Sequence, residues 1–144
     1  SDILRVLVAE NHIPRKKNIR DIMNKNVVVC DLDEEISGIW NMMEKSGYSG
    51  FPVVKKGKVV GMITRMDIIK RRSLNLLKES GKSKHAHIKK AITSPAATIS
   101  PEKRVEEAAK RMVDRKIIRL PVTDGKGSLL GIVDGEDVLR AYLP

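Results

Sequence analysis

One cysteine, Cys30, stands in the 144 residues, so neither an internal disulfide nor a thiolate metal cluster can be built from a single chain. It sits in the apolar run 27–30 and reads as a small buried residue. Aromatic rings are almost as scarce: Trp40, Tyr48, Phe51 and Tyr142 are all there are. Platforms for single-stranded nucleic acid need exposed rings for stacking, and three of these four fall within the apolar pattern of the first half. No apolar run approaches the ~20 residues that cross a bilayer, and residues 1–10 lack the basic start and long apolar stretch of a secretory signal. The chain reads as soluble and cytoplasmic. Catalytic constellations are missing too. No Gly-rich phosphate loop, no Ser or Cys nucleophile with a placed base and no paired carboxylates in an apolar setting can be named, and the chain reads as non-enzymatic.

What is present is a globular composition, 41% hydrophobic and 32% charged, which fits one compact domain or two small halves sharing a core. Charge of one sign dominates: 28 basic against 18 acidic side chains give a formal +10. Between Arg65 and Lys90, nine basic residues (Arg65, Lys70, Arg71, Arg72, Lys78, Lys82, Lys84, Lys89, Lys90) face only Asp67 and Glu79, so this stretch holds +7 of the +10. It is either an anion-seeking surface for phosphates or nucleic acid or a solvated helix and loop. Within it, His85 and His87 have no carboxylates close in sequence, which makes a solvated linker the better reading than a metal site.

The chain repeats itself. A shift of 69 residues places Ile19 on Ile88, Ile36 on Val105, Met43 on Met112, Phe51 on Leu120, Pro52 on Pro121 and Val53 on Val122. After one inserted residue near 125–127 a shift of 70 places Gly61 on Gly131, Ile63 on Val133 and Asp67 on Asp137. Apolar, Gly, Pro and one acidic position recur while surface positions vary, the mark of a duplicated fold.

Each copy reads as β-α-β-β-α. In the first, 27–30 is a β-branched run, Asp33, Glu34 and Glu35 open a helix, and Ile36, Ile39, Trp40 and Met43 form its buried face up to Gly47. Residues 51–54 and 59–63 form a hairpin around the polar turn 55–58, and a second helix begins near Thr64. In the second copy 96–99 is the first strand, and Ser100-Pro101-Glu102 reads as a helix start. Val105, Ala108, Ala109 and Met112 are its buried face, residues 120–123 and 129–133 pair around 124–127, and a final helix runs from Asp134 towards Tyr142. Neither copy alone can cover its sheet.

The motifs Gly61-Met62-Ile63-Thr64-Arg65-Met66-Asp67 and Gly131-Ile132-Val133-Asp134-Gly135-Glu136-Asp137, each preceded by a Pro-containing strand entry (Tyr48-Ser49-Gly50-Phe51-Pro52-Val53 and Ile117-Ile118-Arg119-Leu120-Pro121-Val122), resemble a tandem pair of CBS domains, the Bateman module. The resemblance covers 19–143 and implies an α/β (α+β) fold with two repeats packed through their sheets about a pseudo-twofold. The domains are then 1–18, an N-terminal helix or linker; 19–80, the first repeat; 81–87, a basic linker; and 88–144, the second repeat. The opening Asp2-Ile3-Leu4-Arg5 has the same form as Asp67-Ile68-Ile69-Lys70 and Asp137-Val138-Leu139-Arg140. It is either the end of a preceding repeat or a simple helix covering the sheet.

The resemblance also implies a regulatory role. Such modules bind AMP, ADP, ATP, S-adenosylmethionine or sometimes NAD in two clefts assembled across the repeats, and pass the bound state to an attached domain or partner. One cleft combines Met62, Thr64 and Asp67 with Thr93, Ala97, Ile117 and Ile118, with Arg65 or Lys116 as phosphate contacts. The other combines Asn24, Val28, Tyr48 and Ser49 with Ile132, Asp134 and Asp137. A carboxylate at Asp67 or Asp137 can accept both hydroxyls of a ribose diol. Asp134 stands where the family has a hydroxyl, and its charge repels a phosphate, so the first cleft is the better nucleotide site and the second suits a neutral or positive tail. The resemblance further implies a flat homodimer of modules.

Plainer readings stand beside these. Thr64 with Asp67, and Asp134 with Asp137, are also capping boxes; Pro52 and Pro121 punctuate strand entries, and Trp40 reads as core. Two other functions remain open: a nucleic-acid-binding module that uses 65–90, and a purely structural dimerisation module.

Overall fold

The computed structural model describes residues 2–70, 88–94 and 96–143. The linker 81–87, His85, His87 and the basic positions from 71 to 84 lie outside the described residues. The fold is mixed α+β, in two compact units: a continuous one, Val28–Ala96, and a split one made of Ser1–Val27 and Ala97–Pro144. These bounds do not follow the sequence repeat. The opening residues of each repeat, 19–27 and 88–96, belong to the unit built from the body of the other.

In the continuous unit, strand β1 (Cys30–Asp31) pairs in parallel with β2 (Gly50–Lys55), which pairs antiparallel with β3 (Lys58–Thr64). Lys56 and Gly57 make the hairpin turn, with φ of 52° and 79°, the left-handed pair that matches the twist of two antiparallel strands. Helix α2 (Ile36–Ser46) buries Ile39 and Met43 and stops at Gly47, whose φ of 76° is left-handed. Helix α3 starts at residue 65 and is described to 70. Cys30, Ile39, Met43, Phe51, Val53, Ile63, Ile68 and Ile88 form the core. Burial, and secondarily Glu34, pushes the Cys30 thiol up to about 12, so it stays neutral and unreactive.

In the split unit, α1 (Asp2–Ala9) packs on α4 (Val105–Arg115) through Leu4, and β4 (Arg119–Thr123) pairs antiparallel with β5 (Leu129–Asp134). Asp124 holds their turn by accepting from the amides of Lys126 and Ser128 at 2.8 and 2.9 Å. Helix α5 (Gly135–Tyr142) follows, burying Val138 and Ala141. The core joins Leu4 and Ile19 to Val105, Ala108, Ala109, Met112, Leu120, Val122 and Val133. The four positions expected to form the buried face of α4 are therefore all in place.

Three expectations are corrected. The run 27–30 is not a strand: only Cys30 and Asp31 pair, opposite Val53 and Val54, and Val28 is exposed. The chain passes from one unit to the other between Val27 and Val28, and although Val27 and Val29 are half-buried, residues 27–29 pair with no strand there, a partner that β-branched composition alone cannot supply. Residues 96–99 likewise contribute a single bridge, Ile99 to Val122, next to the second passage at Ala96 and Ala97. Ser100-Pro101-Glu102 is a turn, closed by the Lys103 amide on the Ser100 carbonyl at 3.1 Å, and the helix begins only at Val105. The carbonyls of Pro101 and Lys103 accept from Arg20 and Ile19, and the Val105 amide donates to Lys17. This backbone is committed to pairing with 17–20 and cannot close a first helical turn.

Candidate functional site

Each unit presents one strand end that turns directly into a helix, and the expected ligand residues gather there. In the continuous unit the Thr64 amide donates to Asp67 Oδ2 at 2.8 Å, and the Asp67 amide donates back to Thr64 Oγ1 at 3.2 Å. The helix start is thereby fixed by a reciprocal cap. The Arg65 amide donates to the Ser49 carbonyl at 2.8 Å, which ties the loop entering β2 to the same corner. Gly50 faces Thr64 across the two strands.

A third segment closes on this corner. Met62 and Thr93 exchange two backbone hydrogen bonds, 3.0 and 2.9 Å, and Ser94 Oγ donates to the Val60 carbonyl at 3.0 Å. The approach is close enough to require glycine. A Cβ on Gly61 would stand 2.7 Å from the Thr93 carbonyl oxygen and 2.9 Å from Ile92 Cδ1. Beside the corner, the Arg65 guanidinium lies 5.4 Å from the centre of the Trp40 ring, a cation–π distance, and its Nε is buried with no hydrogen-bond partner among the described residues. Trp40 is accordingly a half-buried platform at the edge of the core, not an interior residue.

The split unit repeats the arrangement with different charges. The Asp134 amide donates to Asp137 Oδ2 at 3.0 Å and the Asp137 amide to Asp134 Oδ1 at 2.8 Å. The Gly135 amide donates to the Ile118 carbonyl at 2.8 Å. Asn24 and Ile132 exchange two backbone bonds of 2.9 Å, and a Cβ on Gly131 would stand 2.8 Å from the Asn24 carbonyl oxygen and 3.1 Å from Met23 Sδ. Asp137 Oδ1 also holds Arg140 at 3.2 Å. Burial, reinforced by the facing Asp134, holds the Asp137 carboxyl above its ordinary range. In place of the Arg65 and Trp40 pair this unit has, at the matching sequence positions, Gly135 and Ala109.

Of the residues expected in the better cleft, Met62, Thr64, Arg65, Asp67 and Thr93 meet in the continuous unit, while Ala97, Lys116, Ile117 and Ile118 belong to the split one. Of the second set, Asn24, Ile132, Asp134 and Asp137 meet in the split unit, while Val28, Tyr48 and Ser49 belong to the continuous one. Lys116 is the exposed residue that ends α4 in a left-handed conformation, φ 54°, at the place Gly47 holds in the first repeat. Tyr48 and Ile118 are exposed, and the Tyr48 ring stands edge-on to Phe51 with centroids 6.4 Å apart. Two features were not foreseen: the close approach at Gly61 and Gly131, whose only trace in the sequence is recurrence of the glycine, and the guanidinium on Trp40. No cluster of three metal-ligating side chains occurs among the described residues, and no described helix is long and apolar enough to cross a membrane.

The model of the CBS domain matches this chain twice, over 19–74 and 88–144. Among curated proteins, the uncharacterized protein MJ1426 of Methanocaldococcus jannaschii is 31% identical over 87% of this chain and 90% of its own length. An inosine-5′-monophosphate dehydrogenase of Korarchaeum cryptofilum is 30% identical over 85% of this chain, which spans only 24% of that enzyme. Among solved structures, protein MJ1225 of Methanocaldococcus jannaschii superposes with a TM-score of 0.87 at 24% identity, covering 99% of this chain and 52% of that one. The CBS domain pair of protein MJ0100, solved with 5′-methylthioadenosine and S-adenosyl-L-methionine, has a TM-score of 0.74 at 27% identity over 88% of this chain and 99% of that one. CBSX2, solved with AMP, has a TM-score of 0.75 at 22% identity over 88% of this chain and 96% of that one.

Proposed function

The chain belongs to the CBS domain family as a tandem pair, and we propose that it is a regulatory module that binds adenosyl ligands and passes the bound state to an attached domain or partner, with no chemistry of its own. The observation that carries this reading is the strand-end corner built twice, with an acid at the same place, Asp67 and Asp137, in each. A cap alone needs neither a partner loop nor a third segment, yet each corner has both. The ligands of the MJ0100 pair support the adenosyl class.

The two corners take different ligands in this proposal. Thr64-Arg65-Met66-Asp67 pairs a hydroxyl and a guanidinium with one carboxylate, whereas Asp134-Gly135-Glu136-Asp137 carries three carboxylates. Two unit charges ~4 Å apart interact by about 4 kcal/mol at an effective dielectric constant near 20, so a 5′-phosphate is favoured at the first corner and disfavoured at the second. Asp67 accepts the ribose diol, with Thr64 and Arg65 near the phosphate of AMP, ADP or ATP. Asp137 takes the ribose of a nucleoside whose tail is neutral or cationic, S-adenosylmethionine or 5′-methylthioadenosine. Exposed Met66 and Ile69, one helical turn apart on α3, support the homodimer that the family implies.

Calorimetric titration with AMP, ADP, ATP and S-adenosylmethionine tests the reading. At least one is expected to bind and to raise the melting temperature, and Asp67→Ala should lose AMP without unfolding. No heat and no thermal shift with any of the four would reject it.

A further inference from the structure

Outside the two corners, exposed basic side chains gather along a short backbone ladder in the split unit. Residues 17–20 run antiparallel to 101–105: the Val105 amide donates to the Lys17 carbonyl at 2.9 Å, Ile19 to Lys103 at 2.9 Å and Arg20 to Pro101 at 3.0 Å, with Asn18 opposite Arg104. Just before it, the Arg15 amide donates to the Ala141 carbonyl at 2.6 Å, which anchors the segment to α5. Two basic runs more than eighty residues apart in the chain, Arg15-Lys16-Lys17 and Lys103-Arg104, are thus brought side by side.

Arg15, Lys16, Lys17, Arg20, Lys103 and Arg104 are all exposed. Arg20 is ion-paired with Glu102, and the other five make no ion pair among the described residues. Six bases against Glu102 and Asp21, whose carboxylate accepts from the Asn18 amide at 3.3 Å, leave +4 on the ladder, and the whole split unit, with 15 basic and 11 acidic side chains, carries the same +4. The net positive charge of that unit therefore resides on this one strip. It is also backed by rigid structure, because Pro14, Ile19, Pro101 and Val105 beneath it are buried.

We propose that this ladder is a docking surface for the phosphate backbone of duplex nucleic acid, held without base reading. Protein partners are recognised through a buried apolar or aromatic centre with a polar rim. The ladder has no exposed apolar side chain; Ile13, the nearest, precedes it beyond Pro14. Single strands need exposed rings for stacking, and the ladder has none. What it offers is a cluster of exposed cations on two segments held together by backbone hydrogen bonds, sufficient for sequence-independent attraction to phosphates. The surface shares no residue with the basic stretch 65–90 or with either ligand corner.

Fluorescence anisotropy of a labelled mixed-sequence 24-base-pair duplex, titrated with the full chain at several salt concentrations, tests the proposal. Five neutralised phosphates predict that log K falls against log salt with a slope of roughly −4 to −5. The combined variant Lys16→Gln, Lys17→Gln, Lys103→Gln, Arg104→Gln should weaken binding at least ten-fold and flatten the slope. Circular dichroism confirms the fold, and if that variant fails to fold, the pairs Lys16→Gln with Lys17→Gln and Lys103→Gln with Arg104→Gln are read separately. The combined variant Lys70→Gln, Arg71→Gln, Arg72→Gln should keep most of the binding. Absence of duplex binding at low salt, a slope near zero, or loss only in the 70–72 variant would overturn the proposal. So would ladder-dependent binding to poly-glutamate or to phosphatidylserine vesicles that is tighter than binding to the duplex.

Discussion

The strand ends at Thr64 and Asp134 share one backbone and differ in charge. Both carry a reciprocal cap, a loop carbonyl on the first helical amide and a third segment held across a glycine. One has a guanidinium over an indole beside its hydroxyl; the other has small residues and paired carboxylates. Duplication has preserved the hydrogen-bond frame, which depends on backbone atoms. The side chains that would meet a ligand have been free to diverge.

The frame can be broken most severely through the core. Phe51 and its counterpart Leu120 are both fully buried. Phe51→Ala should cost about 3–5 kcal/mol and Leu120→Ala about 2–5 kcal/mol, measured by denaturant unfolding. Losses below about 1 kcal/mol in either would show that the two copies are not packed alike.

The third segments come next. Gly61→Ala drives a Cβ against the Thr93 carbonyl and Gly131→Ala against that of Asn24. Each should cost about 1–3 kcal/mol and accelerate amide exchange at Met62 and Thr93, or at Asn24 and Ile132. Unaltered exchange at both places would mean that the close approach does not hold the segments.

The charge difference should appear in acid titration. Because the folded Asp137 carboxyl is held above its ordinary range, its protonated form favours the fold. That contribution is fully present below the ordinary aspartate range and is lost as pH rises through the folded value. Asp134→Thr, which copies the first corner, should bring the Asp137 titration down in carbon-detected NMR. The stability gained by the variant should grow as pH rises above the ordinary range. An unmoved Asp137 titration would leave burial as the whole cause.

The smallest effect sharpens the comparison of the two helix ends. Lys116 holds the left-handed place that Gly47 holds in the first repeat. Lys116→Gly should be stabilising or neutral, within about 1 kcal/mol, and Gly47→Ala should cost about 1 kcal/mol. Thermal unfolding measures both.

Much of this architecture was legible in the sequence because it is local. The hairpins, the faces of α2 and α4 and the stop at Gly47 depend on residues a few positions apart. The corners were legible through repetition of Gly, Asp and their spacing. What failed was set by distant partners. Residues 27–29 have the composition of a strand but sit where the chain changes units, and Ser100-Pro101-Glu102 has the form of a helix start, but the carbonyls of Pro101 and Lys103 accept from residues more than eighty positions away. The exchange of opening segments leaves no periodicity to read. The Trp40 and Arg65 contact joins two elements whose neighbourhood only the fold creates.

The most direct measurement is a calorimetric titration of AMP and of S-adenosylmethionine into the parent, Asp67→Asn and Asp137→Asn. Opposite selection at the two corners predicts that Asp67→Asn loses AMP by at least ten-fold and keeps S-adenosylmethionine, while Asp137→Asn does the reverse. Loss of both ligands to the same single substitution would contradict it.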